Sequence, residues 1–356
     1  MASPDFSQPP FAGAPATRFE PAPADGVLPD GFFSTSNLPT YVYLGGTWQM
    51  PSRPRMDAVI VRRGAELVTL EPRLVSKGEP VAVGLAEDGS EGIVVYLEGF
   101  LGGGTSPNEF RFMASEVSRE RPANYEEMAE RVVSERREGG YLIWVVGPAL
   151  VHSRARADFE WFIRHGYVQA VLVGNAVAVH DVEAAIFGTT LGMTDRGHTT
   201  VAGHGLHMRA INRVRAAGSI EQAVASGLLE TGIMHALVTE RVPYVLAGSI
   251  RDDGPLPGVI TDTLAAQSAM REHTVKATGA IFVATALHAI AVGNMLPAFH
   301  THRGAPKPLM TICVDQTEFV VSKLKDRGTH QAYGVVTNAQ DFMHVLRFYV
   351  EKCHQS

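Results

Sequence analysis

From Tyr141 onward the chain alternates short, unbroken apolar runs with stretches of helical periodicity, and every run ends in glycine or a polar loop. Tyr141–Val146 leads into Gly147-Pro148, Ala170–Val173 into Gly174-Asn175, Tyr244–Ala247 into Gly248-Ser249, Ala280–Ala284 into Thr285, and Met310–Val314 into Asp315. A strand that is apolar at every position, rather than at every second one, is covered on both faces, and helices between such strands supply the cover. Helical spacing falls over Asp158–Arg164, Met208–Ala217, Leu228–Thr239, Thr261–Lys276 and Thr317–Asp326. Ser219-Ile220-Glu221-Gln222 has the spacing of a capping box, which closes a helix start by satisfying its free amides. The pattern predicts βαβ units and a Rossmann-like parallel sheet of α/β class.

The chain before this point reads differently. The first thirty residues hold seven prolines and little periodicity, which predicts a flexible tail over 1–30. Thr40–Leu44, Met56–Arg62, Glu66–Leu70, Pro80–Leu85 and Gly92–Leu97 are short β-like runs separated by glycine turns, predicting a small β-rich domain over 31–125. A charged helix at Asn124–Arg137 then opens the Rossmann-like domain, 126–356. Length alone is compatible with two domains. With 31 basic and 37 acidic residues, net −6, no basic surface for nucleic acid or membrane is expected. Two cysteines make no disulfide framework, and Met1–Ala12 lacks the basic start and apolar run of a signal peptide, so a cytoplasmic protein is expected. The longest stretch without charge, Ala277–His302, contains Thr285, His288, Asn294 and Pro297 and reads as a buried element rather than a membrane span.

In open parallel sheets ligands lie beyond the carboxyl ends of the strands, where loops converge. The rule selects the loops Gly147–Ser153, Gly174–Asp181, Gly248–Pro257, Thr285–Asn294 and Asp315–Thr317. Their polar, weakly charged character suits a neutral or zwitterionic ligand. Gly147, Pro148, Gly248, Ser249 and Thr285 would line the cofactor. Gly174-Asn175 and Gly293-Asn294 either do the same or serve as turn residues. Asp315 either accepts ribose hydroxyls or caps the helix behind it. Asp252 and Asp253, beside Arg251, could hold an ammonium group or act as a base, or form a solvated turn. Lys323 is either catalytic or solvent-facing. His180, His204 and His207 invite a metal, but no His-Glu-x-x-His motif or thiolate pair accompanies them, so no metal is expected. No Gly-x-Gly-x-x-Gly follows any expected strand; the cluster Gly99–Gly104 has the wrong spacing.

Several strings together resemble one family. They are Phe33–Thr40, Gly46-Thr47-Trp48, Met56-Asp57, Phe112–Ser115, Glu120–Pro122, Gly147-Pro148-Ala149 with His152, Gly174-Asn175-Ala176, His180–Glu183, Ala247–Pro257, Gly293–Pro297, Cys313-Val314-Asp315, Lys323-Leu324 and Asp326-Arg327-Gly328. The chain is similar along Gly31–Leu346 to the archaeal-type NAD-dependent ornithine cyclodeaminases, to the C-terminal half of the cyanobacterial arginine dihydrolase/ornithine cyclodeaminases, and to the LOR/SDH conserved-region proteins. The resemblance implies NAD as cofactor, an amino acid as substrate, conversion of ornithine to proline with loss of ammonia, and a homo-oligomer. It further implies Asp252 or Asp253 as base, Arg251 as carboxylate clamp, and Asn37 and His180 as substrate contacts. An opine-type or amino-acid dehydrogenase, or a lysine cyclodeaminase, would share the fold and cofactor.

Overall fold

A computed structural model describes residues 4–96, 124–194, 197–198, 200, 203–252, 254–302, 305–326 and 332–355. Six parallel strands lie side by side in the order Tyr244–Ala247, Ala170–Gly174, Leu142–Val146, Gly279–Val283, Met310–Asp315, Ala332–Val336. Counted along the chain this is 3-2-1-4-5-6, the doubly wound Rossmann order, and it reverses between Leu142–Val146 and Gly279–Val283. Leu142–Val146, Ala170–Gly174 and Gly279–Val283 are buried at every residue, as their unbroken apolar sequence requires. Trp144 sits fully buried against Phe159 and Phe162, with ring centroids 5.2 and 5.3 Å away. Its indole N–H donates to the Tyr167 carbonyl at 2.9 Å, so the one polar atom of the ring is satisfied.

Helices link the strands much as the spacing predicts: Arg156–Arg164, Leu206–Ala217, Thr263–Thr274 and Glu318–Asp326 all form. Ser219 caps Ile220–Ala225 by accepting the Gln222 amide at 3.1 Å. The helix expected from Leu228 begins only at Ile233. Gly232 interrupts it with φ +108°, a backbone closed to ordinary side chains, in a space where a Cβ would meet the Arg156 guanidinium. The segment Thr285–Asn294, expected as a loop, is helical from Leu287 to Met295. Several elements have no counterpart in the sequence reading, among them the helix Asn175–Phe187, whose first half was expected as the loop Gly174–Asp181, the strand Ala332–Val336 and the helix Ala339–Gln355. Phe342, Met343, Leu346 and Val350 of that helix are fully buried, and it packs beside Tyr125–Arg137, where Lys352 pairs with Glu126 at 3.0 Å.

A second unit is drawn from Met1–Glu120 and Asn294–Leu309. It holds a four-stranded antiparallel sheet ordered Arg18–Pro21, Pro80–Val83, Val59–Arg63, Glu66–Leu70, and a three-stranded one ordered Thr47–Gln49, Thr40–Leu44, Ile93–Val95. The proline-rich opening is folded rather than loose: Arg18–Pro21 pairs along Pro80–Val83, and Phe11, 4% exposed, is ringed by Tyr41, Trp48 and Tyr96. Composition misleads here because a few aromatic anchors outweigh the prolines between them. Asn294–Leu309, expected in the Rossmann-like domain, groups instead with this unit. Its strand Phe299–His302 pairs with Ala305–Pro308, and the Ala298 amide donates to the Asn37 carbonyl at 2.9 Å. The strings Gly99–Gly104, Phe112–Ser115 and Glu120–Pro122 lie outside the described residues. No helix among those described is long and apolar enough to cross a membrane.

Candidate active site

Five strand tips meet the rule that selected them, and hydrogen bonds knit the central three together. The Gly147 amide donates to the Val283 carbonyl at 2.8 Å, and the Ala284 amide to the Val314 carbonyl at 2.9 Å. Gly147 has no room for a side chain, because a Cβ would run into the Ala284 carbonyl oxygen and crowd Thr285. Ala284 itself adopts φ +53°, a left-handed conformation that costs a non-glycine residue free energy and marks the turn at the point where the sheet order reverses. Pro148 follows with helical φ −58°, opening Ala149–His152.

Gly174, at the tip of the neighbouring strand, is also bare for a reason: a Cβ there would stand 2.6 Å from Cε1 of His288. His288 lies in the first turn of Leu287–Met295, which follows Gly279–Val283, so its ring reaches past the end of the intervening strand Leu142–Val146. The ring is partly buried, which pushes its pKa below the usual histidine range, and the Asp252 carboxylate acts in the opposite sense. Asp252 comes from the loop after Tyr244–Ala247. His288 thus reaches from the segment after Gly279–Val283 to the tip of Ala170–Gly174.

The Asp252 loop is held from several sides. Its carboxylate accepts the Ser249 amide at 2.7 Å, while the Asp252 amide donates to the Ser249 carbonyl at 3.0 Å. The Gly248 amide donates to the Ile260 carbonyl at 2.8 Å. Asn175 accepts the Leu256 amide with its side-chain oxygen at 3.1 Å, and Arg215 donates to the Pro255 carbonyl at 2.8 Å. Arg251 and Ile250 are exposed at the tip. Asp253 lies outside the described residues.

The His180–Glu183 string splits into distinct jobs. Asp181 is almost fully buried and accepts the amides of Ile233 and Met234 at 2.9 and 2.8 Å, closing the start of that helix, with Arg156 paired to it at 2.6 Å. Glu183, fully buried, accepts the Thr189 hydroxyl and the Leu191 and Gly192 amides. Both carboxylates therefore hold backbone in place. His180 lies edge-on to His152, ring centroids 4.4 Å apart. Burial, with His152 and His207 nearby, pushes its pKa down to about 4, and its Nδ1 is buried without a hydrogen-bond partner among the described residues.

Other expected residues sit elsewhere. Asp315 accepts the Thr317 amide and hydroxyl, both at 3.0 Å, closing a local turn ahead of Glu318–Asp326 rather than capping that helix, its expected alternative role. Lys323 places its ammonium 5.8 Å from the centre of the Phe319 ring. Gly293 and Asn294 belong to the last turn of Leu287–Met295, and the Asn294 Oδ1 is buried without a partner among the described residues. Asn37 is buried in the unit drawn from Met1–Glu120 and Asn294–Leu309. Among the described residues no three His, Cys, Asp or Glu side chains are grouped to hold a metal. The residue that sequence reading passed over is His288; its signal was a histidine inside the longest uncharged stretch, just past a strand tip.

The chain matches two family models. Residues 126–346 match the one described as arginine dihydrolase ArgZ-like, C-terminal, Rossmann fold, and residues 39–126 the one for the first region of the same C-terminal part. It is 45% identical over 332 residues to an ornithine cyclodeaminase of Methanopyrus kandleri, covering 92% of this chain and 76% of that protein. A conserved LOR/SDH protein of Methanococcus maripaludis S2 superposes with a TM-score of 0.84 at 38% identity, over 96% of this chain and 99% of the other. The ternary complex of AgrE with ornithine and NAD+ superposes at 0.59 with 34% identity, over 96% of this chain and 47% of AgrE.

Proposed function

Because this chain belongs to the ArgZ-like C-terminal family, among relatives that include the archaeal ornithine cyclodeaminases, we propose that it converts ornithine to proline and ammonia with NAD as a bound cofactor. The observation that carries the reading is the 3-2-1-4-5-6 sheet, whose order reverses where Gly147 and Thr285 abut. The residues there fit a dinucleotide without the usual glycine fingerprint. Gly147 and Gly174 let the Ala284 carbonyl and the His288 ring close on two adjacent strand tips, and Ser153 Oγ and His180 Nδ1, on the segments that follow those strands, are buried polar atoms without partners among the described residues. A buried polar atom left unsatisfied is costly until something bonds to it. Gly147, Pro148, Gly174, Asn175, Gly248, Ser249 and Thr285 would hold it.

NAD supplies a hydride acceptor that becomes the hydride donor later in the same cycle. The protein's part is to bind the zwitterion, strip its ammonium proton and keep water away. Oxidation at the α-carbon yields an imine, attack by the δ-amine expels ammonia, and reduction of the cyclic imine gives proline, so the cycle is redox-neutral. Arg251, exposed on its loop, is the carboxylate clamp in this scheme. The enzyme acts as a cytoplasmic homo-oligomer in proline formation; neither Cys313 nor Cys353 forms a disulfide among the described residues, which suits a reducing compartment. The test is incubation with ornithine and a catalytic amount of NAD. Proline and ammonia in equal amounts, without net NADH, are expected. Net NADH would assign a dehydrogenase, and preferential turnover of lysine a lysine cyclodeaminase.

A further inference from the structure

We propose that His288 is the catalytic base that accepts the proton of the substrate's α-ammonium group. The inference rests on the cyclodeaminase reading and adds to it the group that must act first. An ammonium nitrogen has no lone pair, so its α-carbon cannot give up hydride to form a C=N bond. Loss of one N–H proton to an imidazole nitrogen leaves the amine lone pair that becomes the second C–N bond when the C–H bond breaks, and the histidine leaves the step as imidazolium. The base must therefore stand where the sheet order reverses, be uncharged before substrate arrives, and have a negative group behind it to settle the imidazolium.

His288 meets all three conditions. Its ring covers Gly174, and Gly174 is bare because of that ring. The helix that carries it begins directly after the Ala284-Thr285 turn against which Gly147 packs. Burial favours the neutral ring, and Asp252 is the charged group that acts on it among the described residues, raising its proton affinity. The Asp252 carboxylate is already engaged by the Ser249 amide. That amide holds in place the carboxylate whose charge acts on the ring.

Three variants test this. His288→Gln should lower kcat with ornithine by roughly a hundredfold or more, the usual contribution of a positioned base, while NAD affinity, measured by calorimetry, stays within about threefold of the parent. His288→Ala should recover activity in proportion to added neutral imidazole. Asp252→Asn should move the acid limb of the kcat/KM profile to lower pH, because loss of the negative charge lowers the proton affinity of the base. The His288 ring signals in a nuclear magnetic resonance titration of the ligand-free protein should move in the same direction. His288→Gln with near-parental kcat would overturn the assignment, as would loss without imidazole rescue or a ring titration indifferent to Asp252→Asn. Failure of the unmodified protein to convert ornithine at all would instead sink the cyclodeaminase reading, so the two failures are distinct.

Discussion

At the scale of single residues, His180 shows how burial makes a side chain pH-sensitive. Its pKa is pushed down to about 4 because the ring is partly buried and shares its surroundings with His152 and His207. In the unfolded chain it would titrate near the ordinary value of ~6.5. Between these limits the unfolded chain binds a proton that the folded one refuses, so stability should fall as pH drops from about 6.5 towards 4 and level off below. His180→Gln should flatten that decline in thermal melts recorded from pH 7 to 4; an identical decline in parent and variant would place its cause in other groups. One and three residues further on, charge does a different job. Asp181 and Glu183 are buried carboxylates spent on backbone amides, so neither is available to a substrate. The sequence string His180–Glu183 carries the family likeness, yet nothing in its spacing distinguishes a ligand-facing group from two that hold up helices and hairpins. Only the partner amides, supplied by Ile233, Met234, Leu191 and Gly192, make that distinction.

At the scale of elements, the strand tips are where sequence and structure agree best. Tyr244–Ala247 forms as expected, and the other expected strands of the sheet shift by about one residue, since an unbroken apolar run ending in glycine signals both burial and its own end. The glycine at each tip is less transparent. Gly147 is required by the Ala284 carbonyl across the sheet, and Gly174 by the His288 ring, neither of which is local in sequence. Gly147→Ala should therefore destabilise the protein by roughly 1–3 kcal/mol through overpacking of backbone on backbone, and weaken dinucleotide binding by prising the two central strand tips apart. Gly205→Ala is the control: its nearest neighbour would be the Arg209 side chain at 3.9 Å, and it should melt with the parent. Denaturant titration of the three proteins decides the matter; equal midpoints would mean that the strand tips yield more readily than close packing allows.

At the scale of the whole molecule, the Rossmann sheet is finished by elements the sequence pattern did not reveal. Ala332–Val336 is interrupted by Gly334, which blunts its apolar run, and Ala339–Gln355 hides Phe342, Met343, Leu346 and Val350 among charged neighbours. Those four side chains are fully buried, each contributing roughly 1.5–3 kcal/mol, a total comparable with the ~5–15 kcal/mol that holds an average domain together. A chain ending at Asn338 should fail to give a cooperative unfolding transition by circular dichroism and should aggregate on gel filtration. A soluble truncated protein with a sharp melt would show that the last helix only decorates the sheet.

Local periodicity was enough to declare a parallel α/β sheet, the positions where its strands end, and the serine that caps Ile220–Ala225, because each is written in residues a few places apart. The lateral order of the strands, the reach of His288 over Gly174, and the grouping of Asn294–Leu309 with residues near the start of the chain were decided in three dimensions. These depend on which distant surfaces bury each other best, and no short-range repeat encodes that choice.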